Sequence, residues 1–162
     1  MIHWRTFSAV VALLFATAAA AEQLTAGSTL TAFTTTDQND APHILDTSVR
    51  IILFTVDMDG GGMVKEALAE NGREKLAQAA AVYVSDISRM PSFVSKLFAL
   101  PALRKRDYPI WLDRSGALTR DWPHADGKVT LMDLDGGTIR GIRLLSSSAE
   151  VTAALQPAAQ QR

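Results

Sequence analysis

The chain has 162 residues, 48% of them hydrophobic and 20% charged, which suits one globular domain with its own core and leaves no room for two. Lys and Arg number 16 against 17 Asp and Glu, and this near-neutral balance speaks against general nucleic-acid binding and against a polybasic membrane-surface protein. There is no cysteine, which excludes disulfides, thiol catalysis, Cys-ligated zinc, iron–sulfur clusters, covalent c-type haem and a lipoprotein anchor.

Residues 1–21 (MIHWRTFSAVVALLFATAAAA) read as an export signal. Arg5 precedes an apolar run from Phe7 to Ala20, and Ala19-Ala20-Ala21 fits the small-residue pattern before cleavage. The run is shorter than the roughly 20 residues of a spanning helix, so an uncleaved anchor is the weaker reading. Cleavage after Ala21, or after Ala20, leaves a domain of residues 22–162 with no membrane span, destined for a compartment such as the bacterial periplasm. The tail, residues 156–162, is polar and Ala-rich and is expected to fray.

Residues 29–35 are Thr-rich around Leu30 and Phe33 and predict a short strand; Asp37-Gln38-Asn39-Asp40 is a turn cluster. Residues 51–56 (IILFTV) form a continuous apolar run, the mark of a central strand buried on both faces with helices on each side. Gly60-Gly61-Gly62 then breaks the chain, and Met63, Val64, Ala67 and Leu68 follow at helical spacing. Asn71-Gly72 marks a helix end or break, with helix resuming over residues 73–79. Residues 81–84 predict a second central strand.

Pro91 suits a first helical turn, Phe93, Leu97 and Leu100 line one face, and Pro101 ends or kinks that helix. Residues 108–112 predict a third strand, closed by Asp113-Arg114-Ser115-Gly116, and a short helix is expected over residues 117–121. Residues 129–134 and 138–144 pair as a hairpin across Asp135-Gly136, with a bulge near Gly141 where the alternation slips. Ser147-Ser148-Ala149-Glu150 matches a capping box for a last helix carrying Val151, Ala154 and Leu155. The elements make a three-layer α/β domain: a mixed central sheet flanked by helices, with a late β-hairpin and a C-terminal helix.

That order resembles the thioredoxin-like fold. Residues 27–38 (GSTLTAFTTTDQ) are similar to the opening of redoxins of the TlpA/ResA and peroxiredoxin type. Residues 50–57 (RIILFTVD) are similar to the strand before their catalytic motif, and residues 108–116 (YPIWLDRSG) and 129–136 (VTLMDLDG) to their late strands. The signal segment, a strand ending in acidic residues, the stretch 88–107 and the late Asp-Gly hairpin also resemble the YtfJ group of periplasmic cysteine-less thioredoxin-like proteins. Where those redoxins carry their cysteines, this chain reads Asp57-Met58-Asp59-Gly60-Gly61-Gly62-Met63. Their cis-proline falls near Gly127, and no proline stands there; Pro123 lies four residues earlier. With no sulfur nucleophile, thiol–disulfide exchange and thiol peroxidase chemistry are excluded.

Several local features carry a candidate function. Gly60, Gly61 and Gly62 at a helix start expose backbone N–H groups to a ligand, and Lys65 adds positive charge, while Asp57 and Asp59 would repel an anion. The plainer alternative is a flexible connection. Asp57 and Asp59 begin like a D-x-D cation site, but no calcium-loop pattern follows, and Asp133 with Asp135 is explained by the hairpin turn. His43 and His124 have no ligand-spaced partners, so no metal is assigned. Trp122, His124 and Gly127 fall opposite the glycine run in the resemblance. Arg104-Lys105-Arg106, with Arg89 and Lys96 upstream, offers a dock for an acidic partner or anionic lipid, or simply a solvated face. No catalytic triad, dinucleotide fingerprint or phosphate loop is present, so no catalytic residue and no cofactor is assigned.

The sequence therefore points first to an exported, redox-inactive thioredoxin-like protein that binds a protein or peptide through Asp57, Asp59, Gly60, Gly61, Gly62 and Lys65, with Trp122, His124 and Gly127 opposite. The alternative is a small-molecule or ion-binding protein, or a non-thiol enzyme, using the glycine-rich loop. A stabilising subunit of a larger envelope complex is a third reading.

Overall fold

The computed structural model describes residues 23–91 and 94–156; the expected signal segment, residues 92–93 and the end of the tail lie outside them. Among the described residues seven strands make one mixed sheet. They are β1 Thr34–Asp37, β2 Pro42–Ile44, β3 Ile51–Thr55, β4 Ala81–Asp86, β5 Trp111–Asp113, β6 Val129–Asp135 and β7 Thr138–Leu145, in the spatial order β2-β1-β5-β4-β3-β6-β7. β3, β4 and β5 run parallel, and the remaining pairs are antiparallel. The helices are α1 Met58–Ala67, α2 Gly72–Gln78, α3 Leu100–Leu103 and α4 Ser148–Ala154, with a π-helical turn over Ser95–Ala99 ahead of α3.

β3 lies between β4 and β6, and its side chains alternate between two cores. Leu53 joins Val129 and Leu131 on one face, against Val64 and Leu68, Leu76, Leu100, and Val151 and Leu155. All four helices thus pack on that face. Helices on both faces are expected from the sequence, but the second face is covered by coil: Leu30, Leu45, Val49 and Trp122 close over Ile52, Phe54 and Met132. The helix expected over residues 117–121 is not formed, and Asp113 supplies the reason. Its buried carboxylate accepts the N–H groups of Ser115, Gly116 and Thr119 at 3.1, 2.8 and 2.8 Å and the Thr119 hydroxyl at 2.9 Å. These bonds reach from Ser115 to Thr119, six positions past Asp113, and wrap the chain around the carboxylate in a non-helical loop.

Other differences are local. The first strand begins at Thr34, and Thr29 makes only a single bridge to Thr138. The Asp37–Asp40 cluster turns the chain into β2, a strand too short to stand out in the sequence. The third expected strand is shortened to Trp111–Asp113. The glycine run does not break the chain. It lies inside α1, which starts at Met58. Pro101 sits in α3 and kinks the helix: it cannot donate to the carbonyl four residues back, and the turn just before it widens to π geometry. The apolar stripe is broken there, with Leu97 66% exposed while Leu100 is buried.

The hairpin forms on Gly136-Gly137, both at positive φ (58° and 86°), the backbone that a two-residue connection of primed type needs. Its register shifts after Asp133, which pairs with Gly141 while Leu134 pairs with Ile139: the expected bulge. Ser147 caps α4 by accepting from the N–H of Glu150, whose carboxylate reaches back to the N–H of Ser146.

Candidate functional site

Asp57 ends β3 and caps α1. One carboxylate oxygen accepts the N–H of Gly60 at 2.8 Å, the ordinary work of an N-cap aspartate. The other accepts the N–H of Gly127 at 2.6 Å, from a residue at φ 66° on the loop that leads into β6. Asp57 therefore ties the start of α1 to that loop, and the structure brings Asp57, Gly60 and Gly127 together. The contact is tight. A Cβ on Gly60 would stand 2.5 Å from the carbonyl oxygen of Lys128.

The glycine run is accordingly not an anion cradle. The Gly60 N–H goes to the Asp57 side chain and the Gly61 N–H to the Asp57 carbonyl, at 2.8 and 3.1 Å. Asp59 is exposed in the first turn, where a negative charge favours the helix. Gly61 and Gly62 differ from Gly60. A Cβ at Gly61 would meet only the Tyr83 hydroxyl, at an ordinary 3.5 Å, and one at Gly62 would meet nothing.

What Gly61 and Gly62 face is a cavity of about 390 Å³ between α1 and the chain from Met90 to Tyr108. Met58, Met90, Val94, Phe98, Leu103 and Ile110 give it an apolar wall, and Tyr83, Ser85 and Tyr108 add hydroxyls. Met58 is 81% exposed and Phe98 66%, so the apolar surface continues outward from the opening. Burial pushes the Tyr83 hydroxyl up, outweighing its hydrogen bonds with Thr55 and Ser85, and burial pushes Tyr108 up to about 12. Both phenols are neutral throughout the physiological range. Lys65 lines the same cavity, on the helix face shared with Gly61 and Gly62.

The basic cluster is split by the fold. Arg104 donates to the Gln38 carbonyl at 2.8 Å and meets Asp40 at 3.4 Å, whereas Arg106 is half-buried and lines the cavity. Sequence reasoning missed Met58, Phe98, Arg106 and the two tyrosines as neighbours, because they come from segments up to fifty residues apart. The one available signal was the spacing of Met58, Gly61, Gly62 and Lys65 along one helix face.

Trp122 and His124 belong elsewhere. Trp122 is buried in the coil-covered core, its ring 5.1 Å from that of Phe54. His124 lies in a polar cleft with Asp86, Ser88, Arg89 and Arg120. Its Nδ1 is 3.0 Å from the Trp122 carbonyl and its Nε2 3.0 Å from Arg89. A carbonyl only accepts and a guanidinium only donates, so Nδ1 is placed to donate to Trp122 and Nε2 to accept from Arg89. Among the described residues no group of three or more His, Asp or Glu side chains converges as a metal site, and no helix is long and apolar enough to cross a membrane.

No protein-family model matches the chain, and no curated protein matches it in sequence. Solved structures do match. BcpB, a peroxidoxin from Mycobacterium tuberculosis, superposes with a TM-score of 0.53 at 19% identity, over 82% of this chain and 97% of that one. The thioredoxin domain of a thiol-disulfide oxidoreductase from Bacteroides vulgatus gives 0.51 at 14% identity, over 83% of this chain and 100% of that one. StoA from Bacillus subtilis gives 0.51 at 13%, over 78% and 97%. The fold is thioredoxin-like. At these identities the likeness establishes the fold alone. On this thioredoxin-like frame there is no sulfur nucleophile, so thiol–disulfide exchange is closed to the chain.

Proposed function

We propose that the protein is exported to the periplasm and there binds a protein or peptide partner without redox chemistry, at the cavity between α1 and the segment 94–106. One observation carries this reading. Two adjacent glycines inside a helix cost it about 1 kcal/mol each relative to alanine, yet a β-carbon at Gly61 would make only an ordinary contact with the Tyr83 hydroxyl and one at Gly62 would touch nothing within 4 Å. What their bareness preserves is the opening of an apolar cavity flanked by exposed Met58 and Phe98. Exposed apolar surface continuous with a pocket is the usual character of an interaction site. The export signal read in residues 1–21 supports the compartment.

The test is a photo-cross-linking residue at Phe98, used in cells that make the full chain, with and without Gly62→Leu. A discrete adduct that disappears when leucine fills the cavity is the expected result. An adduct pattern indifferent to Gly62→Leu, or no adduct, overturns the site.

A cavity of about 390 Å³ also lies within the size range of small-molecule sites, which favours a compact apolar ligand as the second reading. A thermal-shift screen of the domain from Glu22 separates the two. A ligand at about 100 times its Kd adds about 2.7 kcal/mol, an easily read shift.

A further inference from the structure

We propose that the segment held in this cavity presents an apolar side chain next to a carboxylate, so that the partner is an acidic peptide segment. This rests on the site proposed above and adds the chemistry of its occupant. The charge at the opening is the starting point. Lys65 and Arg106 both line the cavity, and neither has an anionic partner among the described residues. Most arginines among the described residues are paired: Arg50 and Arg140 with Asp135, Arg104 and Arg114 with Asp40, Arg143 with Asp133, Arg89 with Asp126. Arg106 is half-buried and still unpaired, with its charge felt by the phenols of Tyr83 and Tyr108.

The one acidic residue in the lining, Asp57, has both oxygens occupied by the N–H groups of Gly60 and Gly127. It makes no ion pair with either cation. An apolar wall with two unmatched cations is complementary to an apolar group carrying a negative charge. A guanidinium already partly out of water gains more from an anion than one in free solution does. A cationic flank is rejected by the same field. The occupant is a peptide segment rather than a free amphiphile because the apolar surface runs beyond the opening over Met58 and Phe98, further than a molecule enclosed by the cavity would use.

Three blocked, fluorescent hexapeptides, each with a central leucine followed by glutamate, glutamine or lysine, are titrated by anisotropy against the wild type, Arg106→Gln and Gly62→Leu. Melting curves verify that each variant is folded. The wild type is expected to rank them glutamate, then glutamine, then lysine. Arg106→Gln is expected to lose about tenfold on the glutamate peptide, the scale of one charged hydrogen bond, and little on the glutamine peptide. Gly62→Leu is expected to abolish all three. Equal binding of all three, still abolished by Gly62→Leu, refutes the acidic preference and leaves the site standing. No peptide binding at all refutes both; decanoate is titrated alongside, and a saturable response to it alone makes the occupant a small amphiphile and overturns the peptide.

Discussion

Alanine at Gly60 and alanine at Gly62 are expected to move stability in opposite directions, although the two positions share one helix. At Gly62 the new methyl meets nothing within 4 Å, so only the helix preference acts, and replacement of glycine inside a helix gains about 0.5–1 kcal/mol. At Gly60 the same gain is opposed by a methyl 2.5 Å from the Lys128 carbonyl oxygen and 3.2 Å from a Thr55 methyl. The obstacle is backbone, and the residue before it is held by Asp57, so it cannot swing aside as a side chain would. Overpacking of this kind costs about 3 kcal/mol at its upper end, which leaves a net loss of about 2 kcal/mol. The variants should then differ by about 3 kcal/mol, or roughly 10 °C in Tm for a domain of this size. Urea and thermal unfolding followed by far-ultraviolet circular dichroism measure it. If Gly60→Ala melts as high as Gly62→Ala, the close approach of α1 to the loop before β6 is wrong, and so is the distinction drawn among the three glycines.

Asp37 makes stability depend on acid pH. Burial raises its carboxyl, but the His43 hydrogen bond and the N–H groups of Asn39 and Ala41 outweigh that and hold it below the ordinary carboxylate range. A carboxyl lowered on folding contributes stability that is complete above its unfolded value and is lost as the pH falls toward the folded one. Wild-type stability should thus decline below about pH 4, and Asp37→Asn should lower the plateau while flattening that decline; Asp113, lowered in the same sense, keeps some slope in the variant. Gly72→Ala should destabilise by about 1–3 kcal/mol in the same unfolding assays, because its methyl would fall 2.4 Å from the Tyr108 ring, and a variant as stable as the parent would refute that packing.

The parts of the fold legible in the sequence are those set by neighbours along the chain. The apolar run of β3, the bulged hairpin and the cap of α4 each carry their cause within a few residues, and each forms, with the turn on Gly136-Gly137 instead of Asp135-Gly136. The misreadings share a different cause. β2 exists only because Thr34–Asp37 offers it an edge, and residues 117–121 are kept from a helix by a carboxylate at Asp113 whose local turn looked complete after Gly116. The glycines read as a break because their intrinsic preference opposes a helix, yet an Asp57 cap and burial of Val64 and Ala67 override it. Among the site residues, Asp57 and Gly127 do meet, as the resemblance implies, while Trp122 and His124 point to the other side of the sheet. The cavity was invisible because its wall is assembled from α1, β4 and the stretch 90–110, and no short window holds it.

Asp57 closes β3 and caps α1, and its geometry shows a second task beside the cap. Both oxygens point at backbone N–H groups, so the residue works as a link between Gly60 and Gly127, seventy positions apart along the chain. A conservative exchange isolates this role. Asparagine and aspartate serve about equally as N-caps, so at an ordinary helix start Asp→Asn changes little. Here one carboxamide oxygen must choose between two donors, and in either orientation its NH₂ faces an N–H. One hydrogen bond is lost and a half-buried donor is left unmatched, at a cost of about 1–3 kcal/mol. Asp57→Asn should therefore melt well below the wild type, with the Gly127 amide becoming faster to exchange with solvent and the Gly60 amide remaining protected. Equal stability, or loss of protection at Gly60 alone, would mean that the link to Gly127 contributes nothing and that Asp57 is only a helix cap. Confirmation would make Asp57 a rigid link between α1 and the loop before β6, beside the cavity proposed above as the binding site.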